Sequence, residues 1–347
     1  MQPFISIGIT TYNRKHLLKR CLDSVLNQIN GDFEVLVGNN YVHEKLHGEL
    51  FGITDSRIKF INYEKNLGQG GNINALLNYA SGKYFTWQFD DDYYAMSYVE
   101  RISRFASKYP HINCIFTSYR KVFDETSPPR FNADKVDGQE LLDGRTFLRH
   151  YWNRRIRALG FTAAYKLNFL KKIGGIELLS EGDYALFSEY LLLFQAAKEE
   201  RIGYISNPVV FYCVHEGSWG NVNSEAELYE ETGVNLIRKS LDVFRSDSLI
   251  QDFDYNTRKV VKLVFHDYSK KSAMKPGFRC LLDMQRFFDN HLAIYLVRDK
   301  KPTVAQRWIL LFIRWKWSVF PLFKSKMKKL LSPRILIYLL RFHARFQ

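Results

Sequence analysis

The run Tyr84-Phe85-Thr86-Trp87-Gln88-Phe89 leads without a break into Asp90-Asp91-Asp92. The aromatic and apolar stretch reads as a strand, so three carboxylates stand together at its exit. Adjacent carboxylates repel one another unless a cation or a basic partner compensates them. A hard divalent ion with oxygen ligands would do so, and it would also bridge a diphosphate. A solvated acidic turn is the plainer alternative; what weighs against it is position.

The position follows from the neighbouring segments. Phe4 to Ile9 is a compact apolar run, and Leu17, Leu18, Cys21, Leu22, Val25 and Leu26 then recur at helical spacing. Strand-like runs follow at Phe33 to Val37 and Ile58 to Tyr63, then a helical set at Ile73, Leu76, Leu77 and Ala80. After the acidic run, Val99, Ile102 and Phe105 fall on a helix, and Ile112 to Tyr119 reads as a strand. This βαβ rhythm predicts an α/β fold with a doubly wound, largely parallel sheet. In such sheets ligands bind beyond the carboxyl ends of the strands, which is where Asp90 to Asp92 would sit.

Two further groups fall at the same kind of place. Asn66-Leu67-Gly68-Gln69-Gly70-Gly71-Asn72 is a glycine-rich stretch opening a helix. Its backbone N–H groups could meet a phosphate or ribose, or the glycines could serve only a tight turn. It matches neither a P-loop nor a dinucleotide fingerprint. Thr10-Thr11-Tyr12-Asn13-Arg14 ends the first strand and Gly38-Asn39-Asn40 the second. Such groups can hydrogen-bond a nucleobase, and they can equally cap helices and turns.

Taken in order, these blocks resemble the family-2 glycosyltransferases with the GT-A fold, a Rossmann-like architecture. Ser6 to Arg14, Asp23 to Gln28, Phe33 to Val37, Asn66 to Asn74 and Ala80 to Tyr84 look like the family's opening half. Ile173-Gly174-Gly175, Ser188-Glu189-Tyr190 and Tyr212 to Ser218 are similar to its later blocks, so the likeness covers about residues 3 to 220. The resemblance implies a nucleotide-sugar donor, with UDP first among the bases, and a divalent Mn²⁺ or Mg²⁺ on the acidic motif. It assigns Asp91 as principal metal ligand, with Asp92 beside it and His215 as a further ligand. It assigns Thr10, Tyr12, Asn13, Asn39, Asn40, Asn66, Gly68, Asn72 and Asp90 to the donor. Glu189 is the candidate base, able to take the acceptor hydroxyl's proton as the new bond forms, and Asp183 is the reserve. As a plainer reading, Glu189 is a first-turn acid favoured by the helix dipole. Two departures stand out. Neutral Asn39-Asn40 and Ile73 occupy positions where many members carry acids and an arginine.

At 347 residues, 46% hydrophobic and 16% aromatic, the chain has the composition of a globular protein. Four dispersed cysteines (Cys21, Cys114, Cys213, Cys280) read as buried thiols of a reducing compartment. Met1-Gln2-Pro3-Phe4 offers no secretory signal, so a cytoplasmic location is expected. The net charge is +14, and 11 Lys or Arg with no Asp or Glu fall between Lys301 and Gln347. There Trp308 to Trp317 and Ile335 to Leu340 mix aromatic, aliphatic and basic residues, and no uncharged run reaches the ~18 residues of a membrane span. The pattern suits an in-plane helix on an anionic membrane surface, or a helix packed on the catalytic domain. No nucleic-acid motif accompanies the charge.

The expected organisation is a GT-A catalytic domain over residues 1–222 and a helical region over 223–347 whose basic end, about 302–347, associates with the inner face of the membrane. The expected activity is metal-dependent, inverting transfer of a sugar to a glycan or lipid-linked acceptor. The alternatives are a nucleotidyltransferase, for which Thr10 to Arg14 lacks the phosphate loop, and an inactive scaffold of the same fold.

Overall fold

The structure is a computed structural model that describes residues 2–123, 138–180, 184–215, 226–245 and 253–272. Asp183 and the basic segment 302–347 lie outside the described residues. The strands are β1 (Ile5–Thr11), β2 (Phe33–Asn39), β3 (Ile58–Asn62), β4 (Tyr84–Phe89), β5 (Tyr93–Tyr94), β6 (Cys114–Val122), β7 (Gln139–Leu142), β8 (Ala164–Lys166) and β9 (Ile202–Cys213). The helices are α1 (Lys15–Leu26), α2 (Gly68–Tyr79), α3 (Tyr98–Lys108), α4 (Gly144–Trp152), α5 (Leu167–Ile173), α6 (Ser188–Ala196), α7 (Ala226–Arg245) and α8 (Phe253–Ser272).

One sheet runs in the order β3-β2-β1-β4-β8-β6-β9-β5, with β7 on β9. Strands β3, β2, β1 and β4 are parallel neighbours, as are β6 and β9, while β8, β5 and β7 join antiparallel. Every residue of β1 and β2 is buried, as expected where helices cover both faces of a parallel sheet. On one face Ile5, Ile7 and Ile9 meet Leu18, Cys21, Leu22 and Val25 of α1 and Tyr98, Ile102 and Phe105 of α3. On the other, Trp87 stands edge-on to Phe85 and Phe161, and its indole Nε1 donates to the Ile73 carbonyl of α2 at 2.9 Å. Full burial of each large apolar side chain stabilises by about 1.5–3 kcal/mol.

A buried carboxylate fixes the amino end of the sheet. Glu34 accepts from Ser6 Oγ at 2.7 Å, from the Ser81 N–H and Oγ at 2.7 Å, and from Lys59 Nζ at 3.0 Å. Burial alone would raise this carboxyl, but these donors outweigh it and hold it below its ordinary value. The Ser81-Gly82 turn can pack this closely because a Cβ on Gly82 would lie 2.5 Å from the Ser6 nitrogen.

The chain divides into two compact units, Met1–Asn223 with Glu231–Val260, and Ser224–Glu230 with Val261–Gln347. The sheet belongs to the first. Within that unit Phe244 of α7 packs on Phe194, and Trp152 Nε1 donates to Asn256 Oδ1 at 2.9 Å. Among the described residues no helix is long and apolar enough to cross a membrane.

Candidate active site

Parallel pairing aligns the ends of three strands. Thr10 pairs with Phe89 and Thr11 with Asn39, so the residues after β1, β2 and β4 share one edge of the sheet. There Thr11 Oγ1 donates to Asp90 Oδ2 at 2.7 Å. Asn13, in the left-handed region at φ 52°, turns the chain so that Arg14 reaches back over the acidic run. Arg14 Nε donates to Asp90 Oδ2 at 3.2 Å, its Nη2 pairs with Asp90 Oδ1, and its Nη1 donates to Asp91 Oδ2 at 3.1 Å. Arg20 of α1 donates to the Asp91 carbonyl at 3.0 Å.

The three carboxylates have different surroundings. The side chain of Asp90 is 0% exposed and that of Asp91 13%. Asp92 is buried, and its Oδ1 accepts from the Cys213 N–H at 2.8 Å. Burial pushes the Asp90 carboxyl up to about 7 against the pull of Arg14, with Asp91 adding to the rise. Burial, then the charge of Asp91, likewise raises Asp92 well above its usual range. Burial is the larger cause at both positions, so both carboxyls resist ionisation more than a free aspartate does. His215 Nε2 lies 3.2 Å from Asp91 Oδ2, so one carboxylate oxygen faces both an imidazole and a guanidinium.

This donor set fits a divalent ion of one kind. Among the described residues no group of three His, Cys, Asp or Glu is disposed to hold a metal by itself. Asp91 and His215, both partly open to solvent, could supply two ligands. An Mg²⁺- or Mn²⁺-type ion that keeps waters and takes its remaining ligands from substrate phosphates needs no more. Asp92, a metal candidate from the sequence, turns Oδ1 to the Cys213 backbone, and Asp90 is held by Arg14 and Thr11.

The structure gives the asparagines expected at the donor protein partners. Asn40 Nδ2 donates to the Gly68 carbonyl at 2.9 Å, and its Oδ1 accepts from the Leu67 N–H at 2.7 Å. Asn72 Nδ2 donates to the Gly38 carbonyl at 2.9 Å, an approach that needs glycine because a Cβ at Gly38 would lie 2.1 Å from Asn72 Oδ1. Asn39 bonds the Glu44 carbonyl and Asn62, at 2.7 and 2.9 Å. Asn66 Oδ1 accepts from the Gly68 N–H at 2.9 Å, and Gly68 has φ 69°. Through Asn40 and Asn72 the glycine-rich stretch is fastened to the end of β2. Tyr12, in contrast, is 51% exposed and stands edge-on to Tyr41, leaving ring surface for a planar ligand.

Glu189 opens α6, which the apolar residues Leu191 to Phe194 bury, and is itself partly exposed. Ser188 Oγ donates to the Glu177 carbonyl at 2.7 Å, and Phe187 before it has φ 62°. Gly160, a residue sequence reasoning passed over, supports this turn from the other side: a Cβ there would lie 2.1 Å from the Glu189 carbonyl oxygen. Burial raises the Tyr212 phenol, and the charges of Asp92, Glu189 and Asp91 add to it in that order. Tyr212 thus lies within the electrostatic reach of both the acidic run and Glu189. Arg14, Gly160 and Tyr212 carry no signal of their own in the sequence beyond standing inside the motif blocks or near them.

Residues 6–172 match the model of glycosyl transferase family 2. The UDP-Glc:alpha-D-GlcNAc-diphosphoundecaprenol beta-1,3-glucosyltransferase WfgD of Escherichia coli is 30% identical over 140 residues, covering 40% of this chain and 54% of that protein. An uncharacterized glycosyltransferase of Haemophilus influenzae is 30% identical over 125 residues, 35% of this chain and 38% of that protein. The chain therefore spans about half or less of the length of these two relatives. The GalNAc(5)-diNAcBac-PP-undecaprenol beta-1,3-glucosyltransferase of Campylobacter jejuni is 22% identical over 350 residues, covering 97% of this chain and 93% of that protein. Among solved structures, S. aureus TarS 1–349 in complex with UDP-GlcNAc aligns with a TM-score of 0.51 at 16% identity, over 84% of this chain and 89% of that one. At that identity the likeness concerns the fold.

Proposed function

We propose that the protein is a metal-dependent, inverting glycosyltransferase, a reading supported by the match of residues 6–172 to the model of glycosyl transferase family 2 and by the mostly parallel sheet that gathers the acidic run at its carboxyl edge. It would move a sugar from a nucleotide-sugar donor, UDP-linked in the first instance, to a hydroxyl of a glycan or lipid-linked acceptor. The observation that carries this reading is the single oxygen Asp91 Oδ2, which meets His215 at 3.2 Å and Arg14 at 3.1 Å on the sheet's carboxyl edge. The names of the E. coli and C. jejuni relatives, both acting on undecaprenol-linked glycans, support the acceptor class.

In this reading Asp91 and His215 would hold Mn²⁺ or Mg²⁺, which would supply positive charge to offset that of a leaving diphosphate. Asp90 stays fixed by Thr11 and Arg14, and Asp92 stays on the Cys213 backbone. The nucleoside lies across the ends of β1 and β2. Thr10, Tyr12 and Asn13 line it there, and Asn39, Asn40, Asn66, Gly68 and Asn72 shape its floor. Glu189 takes the proton of the acceptor hydroxyl as its oxygen bonds to the anomeric carbon. The bond from that carbon to the diphosphate breaks, and the nucleoside diphosphate leaves with the electron pair. Asp183 is the reserve base. The basic segment 302–347 would hold the enzyme on the anionic inner face of the membrane.

The test is thermal unfolding of the full chain with UDP, GDP, dTDP or CMP, each with and without Mn²⁺. A ligand at 100 times its Kd stabilises by about 2.7 kcal/mol, a shift of roughly 5–10 °C for a domain of this size. The expected result is a metal-dependent shift with one nucleotide that disappears in Asp91→Ala. In Glu189→Gln the same shift should persist while transfer falls roughly 10²- to 10⁴-fold. A wild type that shifts with no nucleotide refutes the donor reading, and full transfer in Glu189→Gln refutes the base.

A further inference from the structure

Residues two apart on a helix point about 200° away from each other, so Asn72 and Asn74 of α2 serve different neighbours. Asn72 bonds the Gly38 carbonyl at the end of β2, whereas Asn74 meets Ile176, 102 positions later in the chain. Asn74 Oδ1 accepts from the Ile176 N–H and its Nδ2 donates to the Ile176 carbonyl, both at 2.9 Å. A side-chain amide can satisfy both groups of one backbone residue in this way because it carries a donor and an acceptor. The approach is close: Gly175 has φ 77°, and a Cβ there would lie 2.4 Å from Asn74 Oδ1. One turn earlier, a Cβ at Gly70 would lie 2.2 Å from the Leu178 side chain, and Gln69 Oε1 accepts from the Ala185 N–H at 3.2 Å.

The backbone held by these two amides leads into Glu189. Ser188, buried and directly before it, donates from Oγ to the Glu177 carbonyl at 2.7 Å and from its N–H to the Ala185 carbonyl at 3.1 Å. Either route from α2, through Ile176 and Glu177 or through Ala185, thus reaches Ser188 in two hydrogen-bonded steps. Helix α7 restrains the same backbone: Asn235 Nδ2 donates to the Leu179 carbonyl at 2.8 Å, and Lys239 pairs with the Glu177 carboxylate. The start of α6 needs such restraint. Phe187 stands at φ 62°, a conformation costly for a bulky residue, and α6 begins without a side-chain cap. Backbone of that kind persists only where its surroundings over-determine it.

We propose that Asn74 and Gln69 are positioning residues for Glu189. Their amides hold the backbone at Ile176 and Ala185, and through Ser188 they set where the Glu189 carboxylate meets the acceptor hydroxyl. Because α2 also opens with the glycine-rich stretch fastened to β2, one helix carries both the floor of the donor site and the mount of the base. The proposal rests on the transferase reading, since it takes Glu189 as the base.

The test combines amide hydrogen exchange with transfer kinetics on the full chain, using UDP-glucose with Mn²⁺ as donor and N-acetylglucosaminyl diphosphate on a decyl chain as acceptor. Gln69→Met keeps the side-chain length and removes the acceptor for the Ala185 N–H; Gln69→Glu restores an acceptor. Asn74→Ala removes both bonds to Ile176 and strands two buried backbone groups, so Gln69→Met decides if Asn74→Ala does not fold. In the unliganded chain, exchange at residues 185–190 should quicken roughly fivefold in Gln69→Met, the opening expected from one lost hydrogen bond. It should return to the wild-type rate in Gln69→Glu, with β1 and β2 unchanged in both. In Gln69→Met and Asn74→Ala kcat should fall roughly 10²-fold, as for a misplacement of about 1 Å, while the donor KM and the nucleotide melting shift stay the same. Gln69→Glu should recover most of kcat. Unchanged exchange in Gln69→Met, an unchanged kcat, or a fall in kcat accompanied by loss of the melting shift overturns the proposal; in the last case α2 serves the donor alone. Glu189→Gln separates the two readings. If it keeps full transfer, the base assignment fails; if it loses transfer while the Gln69 and Asn74 variants keep it, only the positioning role fails. Should the wild type not use this donor and acceptor pair, the exchange rates and their rescue decide.

Discussion

Replacing Arg14 with methionine tests how the acidic run is held. The substitution removes a guanidinium whose side chain is 30% exposed from a carboxylate that is 0% exposed. Asp90 would keep only the 2.7 Å bond from Thr11 Oγ1. At pH 8 Asp90 is ionised in the wild type, and without Arg14 the buried carboxyl would take up a proton instead, which at one pH unit above its value of about 7 adds about 1.4 kcal/mol to the loss. At pH 5.5 the case differs, because burial holds this carboxyl at about 7 and it is already protonated. Arg14 then donates to a neutral acid, and its loss should cost about 1 kcal/mol. Urea unfolding of both proteins at the two pH values, without metal, reads the difference directly, with unchanged m-values as the sign that the same transition is followed. An equal loss at both pH values would mean that Arg14 acts by packing and not by charge. No loss at pH 8 would mean that Asp90 is compensated by another group, and the electrostatic account of the site would fall.

Two other outcomes follow from the same geometry. The Asp90 carboxyl is raised from 3.8 to about 7 on folding, so its contribution favours the native state most at and below pH 4 and is lost as pH rises through about 7. That interval corresponds to about 4 kcal/mol. Wild-type stability should therefore decline between pH 5.5 and 8, and Mn²⁺ with UDP should flatten the decline; a stability that rises over this range contradicts it. Gly160→Ala would put a Cβ 2.1 Å from the Glu189 carbonyl oxygen, so the first turn of α6 must shift. Transfer should drop roughly 10²-fold, as for a misplacement of about 1 Å, with the nucleotide melting shift retained. Unchanged kcat would show that Glu189 needs no support from this turn.

The first half of the fold was legible because its signals are local. The β1–α1–β2 succession follows from apolar residues at strand and helix spacing, and both faces of these strands are covered. The strand before Asp90 was equally plain. The short antiparallel pieces β5, β7 and β8 were not, since two to four residues carry no period, and the stretch from 120 to 180 gave only a loss of rhythm. The two strand-like runs around residues 203–205 and 209–214 belong to the single strand β9, which pairs with β6 across a register shift between Thr117 and Tyr119.

The sequence by itself determined the α/β class, the edge on which polar residues gather, and the residue types offered there: carboxylates, amides, a histidine and a candidate base. What those residues touch was decided by the tertiary structure. Arg14 lies 76 residues from Asp90, His215 lies 124 from Asp91, and Asn40 lies 28 from Gly68. Crossover connections set β1 beside β4 although β2 and β3 lie between them in the chain, and that adjacency brings Thr11 and Arg14 to the acidic run. The asparagines show the same division. An amide at a strand end can serve a ligand or the backbone with equal chemistry, and only the packing of the loop 66–68 against β2 commits Asn40 to the backbone. Short-range periodicity reports which surfaces must be buried. Which charges meet depends on strand order, and strand order is a property of the whole sheet.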